Sequence, residues 1–435
     1  MTTTLPELDP TRPLTLPPQV ETTLPNGLTV IAIQRPSVPL VEVRLRVPFA
    51  RAPLASGMLI AQTLFSGTKA RSNVEIASEL QAVGGALGAG VDPDRLLVSG
   101  NTLTSGLDRL LELLAEVLHD ATFPANEVLT ERERLADRIQ VAHSQPAHVA
   151  RVALLKRMYR DHPYAVQTPA LDEVRAVAPE DLRAIHAERL HPAGSVLVLV
   201  GDFDADTALR IAGDRLGSWA GSGSLASLPP APALEPGPML LVDRPGAVQS
   251  SLRMALPAVG RTDPDHALLQ LANLIFGGYF SSRWVENIRE DKGYTYGPHS
   301  AVEHSVQGSA MVIAAEVATE VTAPALVETF YELGRLASLP PGAAELDQAR
   351  QYALGTLQIG MSTQAGLAGL ASTYAGFGLR LDYLAGYVER LEQATPEDVH
   401  RVARQYLAPS RVVSVLLGDA SKIADDVAAI AAIEQ

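Results

Sequence analysis

The segment of this chain that comes nearest to a zinc-binding pattern is HSAVEH, from His299 to His304, which combines two histidines with a glutamate. Imidazole nitrogens and carboxylate oxygens are usual ligands of Zn²⁺, and Glu303 stands directly before the second histidine. The histidines are five residues apart, however. That spacing separates them by about 140° around a helix and places them on opposite faces of a strand, which we predict here. HSAVEH is therefore not expected to form a zinc site.

Two other histidine pairs share this five-residue spacing, His143/His148 and His186/His191. Neither has a glutamate at the place that a zinc site requires, so we interpret all four as surface or structural histidines. The chain has no cysteine, which excludes disulfides, thiolate metal sites and cysteine nucleophiles. From the residues alone, the chain is predicted to bind no metal.

Composition indicates a globular protein. Of the 435 residues, 47% are hydrophobic and 19% are charged, and no apolar run approaches the length of a membrane span. The formal net charge of −14 argues against a general nucleic-acid surface. The N-terminus is polar and rich in proline, without the apolar core of a signal peptide, and a cytoplasmic location is expected.

A long block of sequence occurs twice. APEDLRAIHAERLHPAGSVLVLVGD begins at Ala178, TPEDVHRVARQYLAPSRVVSVLLGD begins at Thr395, and the two align without a gap. Each predicts a capped helix, a turn broken by proline and a buried strand that ends at Gly-Asp. The chain is therefore predicted to consist of two homologous halves.

The two halves are predicted to meet at a linker, residues 219–238. This segment is rich in Gly, Ser, Ala and Pro and almost free of charge, which is typical of linkers, and its prolines favour an extended path on the surface. We accordingly divide the chain into a flexible arm (1–18), a first domain (19–218), the linker and a second domain (239–435).

Within the first half, strands and helices do not alternate regularly. GLTVIAIQ and LVEVRLRV show strand periodicity, and GALGAGVD and RLLVSGNTL form a predicted strand pair. Helices are predicted over 54–65, 74–83, 106–120 and 126–142. This order disfavours a doubly wound parallel sheet and predicts an α+β fold, a mostly antiparallel sheet covered by helices.

Several segments together resemble the pitrilysin/insulinase-type zinc peptidases, which include the mitochondrial processing peptidase. The resemblance covers nearly the whole chain and rests on LFSGTKARS, NVEIASELQAVGGALGAGVD, LDRLLELLAEVLHDATFPANEV and GGYFSSRWVENIREDKGYTYG. It implies two homologous α/β-roll domains that form half of a clamshell around an unfolded peptide. In that family one half of one partner holds zinc through H-x-x-E-H.

The resemblance places the zinc motif on residues that cannot bind zinc. Counting back from LFSGT, H-x-x-E-H falls on Met58, Ala61 and Gln62, and the distal ligand falls near Arg138, with Asp137 beside it. A thioether is a weak ligand, a methyl group offers none, and an amide cannot act as a base. This degenerate site is expected to hold no metal.

In the second half the resemblance implies a retained substrate-binding pair. In active members an Arg and a Tyr seven residues later bind the substrate backbone near the scissile carbonyl, and this pair falls on Arg289 and Tyr296. A guanidinium donates to a carbonyl, and a phenol can donate to an oxyanion. Tyr294 is the rival for the hydroxyl role, and Gly277 and Gly278 mark a tight bend where the zinc-free processing-peptidase subunit has a long glycine-rich loop.

The alternative for this segment is purely structural. Arg289 would then cap a helix in NIREDKG, and Tyr296 would pack in a strand. For Arg283 we predict a structural role, through an ion pair with Glu286 or Asp291.

These residues lead to one principal hypothesis and two alternatives. The chain is expected to be the zinc-free subunit of a heterodimeric peptidase, inactive alone, which supplies Arg289 and Tyr296 in trans to a homologous subunit that carries zinc. The substrates would be short or unfolded peptides. The alternatives are a non-catalytic structural or assembly protein on the same fold and a stand-alone peptide-binding homodimer.

Overall fold

The computed structural model describes residues 13–221 and 226–435. In the first half the elements are β1 (Gln19–Thr23), β2 (Thr29–Gln34), β3 (Leu40–Pro48), α1 (Leu54–Thr63), α2 (Asn73–Ala82), β4 (Ala86–Val91), β5 (Arg95–Leu103), α3 (Leu107–Asp120), α4 (Ala125–Ser144), α5 (Pro146–Tyr159), α6 (Leu171–Ala176), α7 (Pro179–Arg189), β6 (Val196–Gly201) and α8 (Ala205–Leu216). The predicted strands and helices of this half are confirmed, to within a few residues at their ends.

The second half repeats this order, with two π-helical turns, Leu274–Gly278 and Glu286–Asp291. Its elements are β7 (Met239–Asp243), β8 (Gln249–Pro257), α9 (His266–Asn273), α10 (Arg283–Val285), β9 (His299–Ser305), β10 (Gly308–Ala318), α11 (Thr322–Ser338), α12 (Ala343–Ser362), α13 (Gln364–Ala375), α14 (Tyr383–Gln393), α15 (Pro396–Tyr406), β11 (Val413–Gly418), α16 (Ala420–Ala428) and β12 (Ile433–Glu434).

Each half contains one six-stranded sheet. The strand orders are β1-β2-β6-β3-β5-β4 and β12-β7-β11-β8-β10-β9, so five strands recur in the same order. Most neighbours are antiparallel; β2–β6, β7–β11 and β7–β12 are parallel. The predicted α+β class with mostly antiparallel sheets is confirmed.

The repeated sequence block forms the same structure twice. It contains α7 and β6 in the first half and α15 and β11 in the second. At the start of α15, Thr395 and Asp398 form a reciprocal capping box. In α7 the Asp181 carboxylate accepts a hydrogen bond of 2.8 Å from the Ala178 amide. Both strands are almost wholly buried inside their sheets, as their continuous apolar sequence predicts.

The two halves exchange helices. Helix α5, from the first half, buries Leu154 and Met158 against β8 and β11 of the second sheet. Helix α13, from the second half, buries Leu367 and Ala371 against β2, β3 and β6 of the first sheet. Each sheet therefore has its own helices on one face and a helix of the other half on the opposite face.

A hydrogen-bonded link joins the halves beside these cores. The Tyr164 hydroxyl donates to the two carboxylate oxygens of Asp94, at 2.8 and 3.0 Å, and accepts from the Gln307 amide at 3.0 Å. Asp94 also accepts from the Val306 amide at 3.2 Å. Because Asp94 and Tyr164 belong to the first half and Val306 and Gln307 to the second, this link fixes the β9–β10 turn against the first half.

The described residues of the linker, 219–221 and 226–238, form no helix or strand, and they are anchored to both halves. Trp219 is buried in the first core, and its indole N–H donates to the Leu190 carbonyl. Leu228 is buried between the halves, and the Ala231 amide donates to the Gln307 carbonyl. Residues 222–225 of the linker and 1–12 of the predicted arm lie outside the described residues. Residues 13–18 of the arm have no regular structure, and Leu14 and Leu16 among them pack against the core beneath α13.

No helix in the described ranges combines the length and apolar character needed to cross a membrane.

Candidate functional site

Arg289 and Tyr296 lie together on the surface of the second half. The Arg289 guanidinium carbon lies 5.1 Å from the centre of the Tyr296 ring and 4.4 Å from the centre of the Phe280 ring. Such cation–π contacts orient a guanidinium without occupying its N–H donors. The Nε of Arg289 is 3.2 Å from the carboxylate of its exposed neighbour Glu290.

Tyr296 is 87% exposed and Phe280 is 56% exposed, so neither ring contributes to the core. The structural alternative for Tyr296, packing in a strand, therefore does not describe this residue. Phe280 was not singled out in the sequence, although it lies in the FGGYF segment. The arrangement presents a guanidinium edge and a phenol side by side to solvent.

The backbone around Arg289 is held by the next helix of the chain. Trp284 is buried, stacks on Phe276 with ring centres 5.4 Å apart, and donates from its indole N–H to Thr329 of α11 at 3.0 Å. The Asn287 amide donates to Glu328 and Glu332 of α11, both at 2.9 Å. Arg289 itself lies in the π-helical turn Glu286–Asp291, a local geometry that is frequent at functional sites.

Tyr294 and Tyr296 have different environments. Tyr294 is half-buried and packs against the second core, and its amide donates to the Ile288 carbonyl. Between them, Thr295 bridges to Val317 and donates from its hydroxyl to the Glu316 carbonyl at 2.6 Å. Exposure therefore favours Tyr296 as the hydroxyl that can reach a ligand.

Gly277 and Gly278 end a helix in the π-helical turn Leu274–Gly278, and neither has a positive φ. Their requirement for glycine is steric. A Cβ at Gly277 would lie 2.9 Å from the Ser300 hydroxyl and 3.0 Å from the Trp284 ring, and one at Gly278 would lie 2.7 Å from the Asn273 amide. The two glycines thus allow close packing under the site rather than a left-handed bend.

The prediction that Arg283 forms an ion pair with Glu286 or Asp291 is wrong. Its guanidinium is 9% exposed and forms a two-pronged ion pair with Glu345 of α12, at 2.5 and 2.6 Å, and not with Glu286 or Asp291. A bidentate pair satisfies the planar guanidinium better than a local carboxylate on the same short helix. Burial, followed by the nearby Glu345 charge, raises the pKa of Tyr279, which stacks on Tyr352 beside this ion pair. The role of Arg283 is structural: it ties α10 to α12.

The zinc positions of the resemblance lie on two helices that pack against each other, α1 and α4. Met58 is partly buried against the first core, Ala61 is buried, and Gln62 and Arg138 are exposed. A thioether, a methyl group, an amide and a permanent cation do not fit Zn²⁺. Within residues 13–221 and 226–435, no group of three or more His, Cys, Asp or Glu side chains could hold a metal ion.

The histidine pairs also have the geometry of structural residues. HSAVEH forms strand β9, so His299 and His304 alternate across the sheet as predicted. His186 is buried and hydrogen-bonds the Val117 carbonyl at 3.2 Å, and burial lowers its pKa. His143 lies against His148, whose pKa is lowered by burial and then by that neighbour.

Comparison with protein families decides the classification. A family model described as "Insulinase (Peptidase family M16)" matches residues 58–169, and one described as "Peptidase M16 inactive domain" matches residues 176–352. Together the two matches account for more than half of the chain. The chain belongs to the insulinase family of peptidases.

Individual relatives of this insulinase-family chain are similar to it over more than nine tenths of its length. A protein named as an uncharacterized zinc protease of Mycobacterium tuberculosis is 26% identical over 432 residues, which are 96% of this chain and 97% of the relative. Another, from Streptomyces coelicolor, is 24% identical over 416 residues, 91% of this chain and 88% of the relative. The similarity is thus to proteins named zinc proteases.

Solved structures with the same fold include a peptidase M16 inactive domain from Pseudomonas fluorescens and a protease from Helicobacter pylori. The TM-scores are 0.83 and 0.84, with 24% and 20% identity; 92% of this chain is covered in both cases, and 98% and 100% of the two solved chains. The fold of this insulinase-family member is therefore one already seen in peptidase structures.

A groove runs along the edge strand β4 of the first half. Its walls come from β4 and β5 and enclose a cavity of about 430 Å³. A Cβ placed on Gly88 or Gly90 would meet no heavy atom within 4 Å, so this face of the strand is uncovered, and the outer edge of β4 is unpaired because β4 is the last strand of its sheet. An edge strand with free N–H and C=O groups can pair with an extended peptide.

Proposed function

We propose that this chain is the zinc-free, peptide-binding subunit of a heterodimeric peptidase of the insulinase family, acting in the cytoplasm. A homologous subunit would hold the zinc and the general base. This chain would present Arg289 and Tyr296 to the substrate across the closed clamshell. Alone, it would hydrolyse no peptide.

The observation that supports this proposal most is the exposed arrangement of Arg289 between Phe280 and Tyr296. Orienting a guanidinium and an exposed phenol costs side-chain entropy and contributes little to stability. The residues beneath them, above all Trp284 and Gly277, are closely packed and hold the segment in place. Exposed polar side chains that are held in place by closely packed residues beneath them are expected where a ligand binds.

The chemistry of the two side chains suits a peptide backbone. The guanidinium can donate two hydrogen bonds to a peptide carbonyl, and the Tyr296 hydroxyl can donate to an oxygen on which negative charge develops. Removing one such donor typically lowers turnover by about 100- to 1000-fold. These side chains bind and orient the substrate, whereas the metal chemistry would belong to the other subunit.

A second candidate function, peptide binding without any partner, is favoured by the open groove at β4. Pairing with this strand supplies main-chain hydrogen bonds to a peptide of any sequence. A homodimer that binds extended peptides would use this groove and would need neither zinc nor Arg289.

The test reconstitutes the complex from this chain and a homologous chain that carries H-x-x-E-H. Cleavage of a quenched fluorescent peptide is followed for each chain alone, for the mixture, and for mixtures with Arg289→Ala or Tyr296→Phe. We expect activity only in the mixture, and a fall of about 100-fold with either variant. Tyr331→Phe, which removes the hydroxyl of an exposed tyrosine on α11 outside the site, is the matched control and should leave the rate unchanged.

Two outcomes would refute the proposal. If the zinc-bearing chain alone were as active as the mixture, this chain would not complete the site. If the mixture were active but insensitive to both variants, this chain would support assembly only, and the structural alternative would replace the proposal.

A further inference from the structure

A cavity of about 450 Å³ opens at the end of the second sheet, at the β9–β10 turn. Its walls come from the loop after β8, from the turn itself and from the loop after α13. Polar and apolar groups share the lining: Arg261, Thr262, Ser305, Ser309, Val306 and Phe377. Nothing in the peptidase proposal uses this cavity.

Arg261 is the one charged side chain among the residues that line the cavity. Its guanidinium carbon lies 5.3 Å from the Phe377 ring centre and 5.6 Å from that of Tyr374. No carboxylate of residues 13–221 or 226–435 forms an ion pair with it, and its Nε is buried without a hydrogen-bond partner. The guanidinium is thus oriented by aromatic contacts while its donors stay available.

Behind the cavity, four side chains are linked by hydrogen bonds in a row, and none of them is negatively charged. The Tyr383 hydroxyl donates to the Arg261 carbonyl at 2.6 Å, so it accepts from Nδ1 of His266 at 2.9 Å. Nε2 of His266 then accepts from Nε2 of His304 at 3.2 Å, and Nδ1 of His304 accepts from the Ser309 hydroxyl at 2.8 Å. This order of protons keeps both histidines neutral.

The surroundings of the two histidines are positive. Burial and then Arg261 lower the pKa of His304 to about 4, and burial, His304, Arg261 and Arg390 together lower that of His266 to about 3. Arg390 lies over the Tyr383 ring, at 5.9 Å from its centre. Two arginines therefore face this cluster, and no carboxylate of the described residues is paired with Arg261.

We propose that the cavity binds the terminal carboxylate of a peptide. A guanidinium binds a planar carboxylate through two parallel hydrogen bonds, and Val306 and Phe377 provide an apolar surface for the last side chain. The volume lies in the range of sites that hold a small ligand. The inference that the ligand carries a carboxylate is argued from Arg261. The inference that this carboxylate belongs to a peptide rests on the proposed function.

Binding at Arg261 has a signature at His304. The bound anion offsets the positive charge that disfavours the imidazolium form, so the pKa of His304 rises on binding. The imidazole is connected to the cavity wall through the Ser309 hydroxyl. Its titration followed by NMR therefore reports occupancy of the cavity, independently of any activity.

The experiment is a calorimetric titration of the full chain, without any partner subunit. The probes are a short peptide that ends in an apolar residue with a free carboxylate, the same peptide as its C-terminal amide, and inorganic phosphate. We expect the free acid to bind at least tenfold more tightly than the amide and than phosphate. Arg261→Gln should weaken binding of the acid about tenfold or more, because a charge-assisted pair is lost.

Two variants complete the design. Arg404→Gln removes an exposed arginine of α15, far along the chain from the cavity lining, and should leave affinity unchanged. Gly260→Phe should abolish binding while Arg261 remains, because a Cβ at Gly260 meets no heavy atom within 4 Å and a ring there would fill the cavity. Thermal unfolding of each variant shows whether it is folded.

Equal affinity for the acid and the amide would overturn the inference, as would phosphate binding in place of the peptide. A folded Arg261→Gln variant that binds the acid as well as the unchanged chain would also overturn it. Since the titration uses this chain alone, its failure does not touch the heterodimer proposal. Failure of the reconstituted peptidase likewise leaves the carboxylate site standing.

Discussion

Replacing Tyr164 by phenylalanine removes one oxygen atom from the contact between the two halves. That hydroxyl donates to Asp94 and accepts from the Gln307 amide. The aromatic ring remains, buried against Tyr159 and His162. The change therefore tests the polar link and leaves the packing of the interface in place.

The expected cost follows from these contacts. A hydrogen bond to a charged group contributes about 1.5–3 kcal/mol, and a buried donor left unpaired costs about 1–3 kcal/mol. A crevice lined by Asp94, Val306 and Gln307 adjoins this link, and water that enters it can pair with part of the groups left behind, so we expect a net loss of about 2–3 kcal/mol. With an unfolding entropy of about 2.1 cal/mol/K per residue, this loss lowers the Tm of the whole chain by about 2–3 °C.

Differential scanning calorimetry of the full chain measures this shift. Tyr331→Phe, on the exposed face of α11, serves as the control and should change Tm by less than about 0.5 °C. Burial and then the bond to Asp94 raise the pKa of Tyr164, so its stabilising contribution is present below about pH 10 and is lost as pH rises. A Tyr164→Phe chain with an unchanged Tm near neutral pH would refute this account of the interface.

Three further predictions concern other parts of the chain. Burial lowers the pKa values of His266 and His304, so their contribution to stability is present above about pH 6.5 and is lost by about 1.4 kcal/mol per pH unit for each as pH falls toward 4. In His304→Gln, the free energy of unfolding, measured by chemical denaturation at several pH values between 7 and 5, should therefore fall less steeply with falling pH. An equal pH slope in the variant and the unchanged chain would contradict this. Gly277→Ala should cost about 1–3 kcal/mol in chemical denaturation, because the added methyl group meets Ser300 and Trp284, and a neutral effect would show that this packing relaxes freely. Placing His, Glu and His at the degenerate zinc positions Met58, Ala61 and Gln62 should give little Zn²⁺ affinity until Arg138 is also changed to Glu. Titration with zinc measures this affinity. Strong binding without the change at Arg138 would show that the remaining ligand comes from another residue.

The helices and strands, and their repetition in the two halves, could be predicted from the sequence. Continuous apolar strands ending in Gly-Asp, and Pro-Glu-Asp at helix starts, are local patterns, and each was found where it was predicted. The proximity of Arg289 and Tyr296 is also nearly local, since seven residues around a turn bring them together. Local patterns of this kind can be read without knowledge of the tertiary structure.

Contacts between distant segments could not be predicted in this way. Arg283 pairs with Glu345, 62 residues away, although nearer carboxylates were available in sequence. Phe280 completes the Arg289 arrangement, yet an aromatic residue in a glycine-rich turn carries no signal of that role. The reasons for Gly277 and Gly278 likewise lie in side chains from other segments, Ser300 and Trp284 among them, which only the folded chain brings close.

Helix α5 of the first half covers the second sheet and helix α13 of the second half covers the first, an arrangement that resembles a domain swap within one chain. Either half produced alone would expose the sheet face that the other half's helix covers, including Ile31 and Val198 in the first half and Ala255 and Val415 in the second. Cleavage within residues 219–238 should therefore leave two fragments that stay together. Two chains could also trade these helices with each other, and the same contacts would then produce an interlocked dimer instead of a monomer.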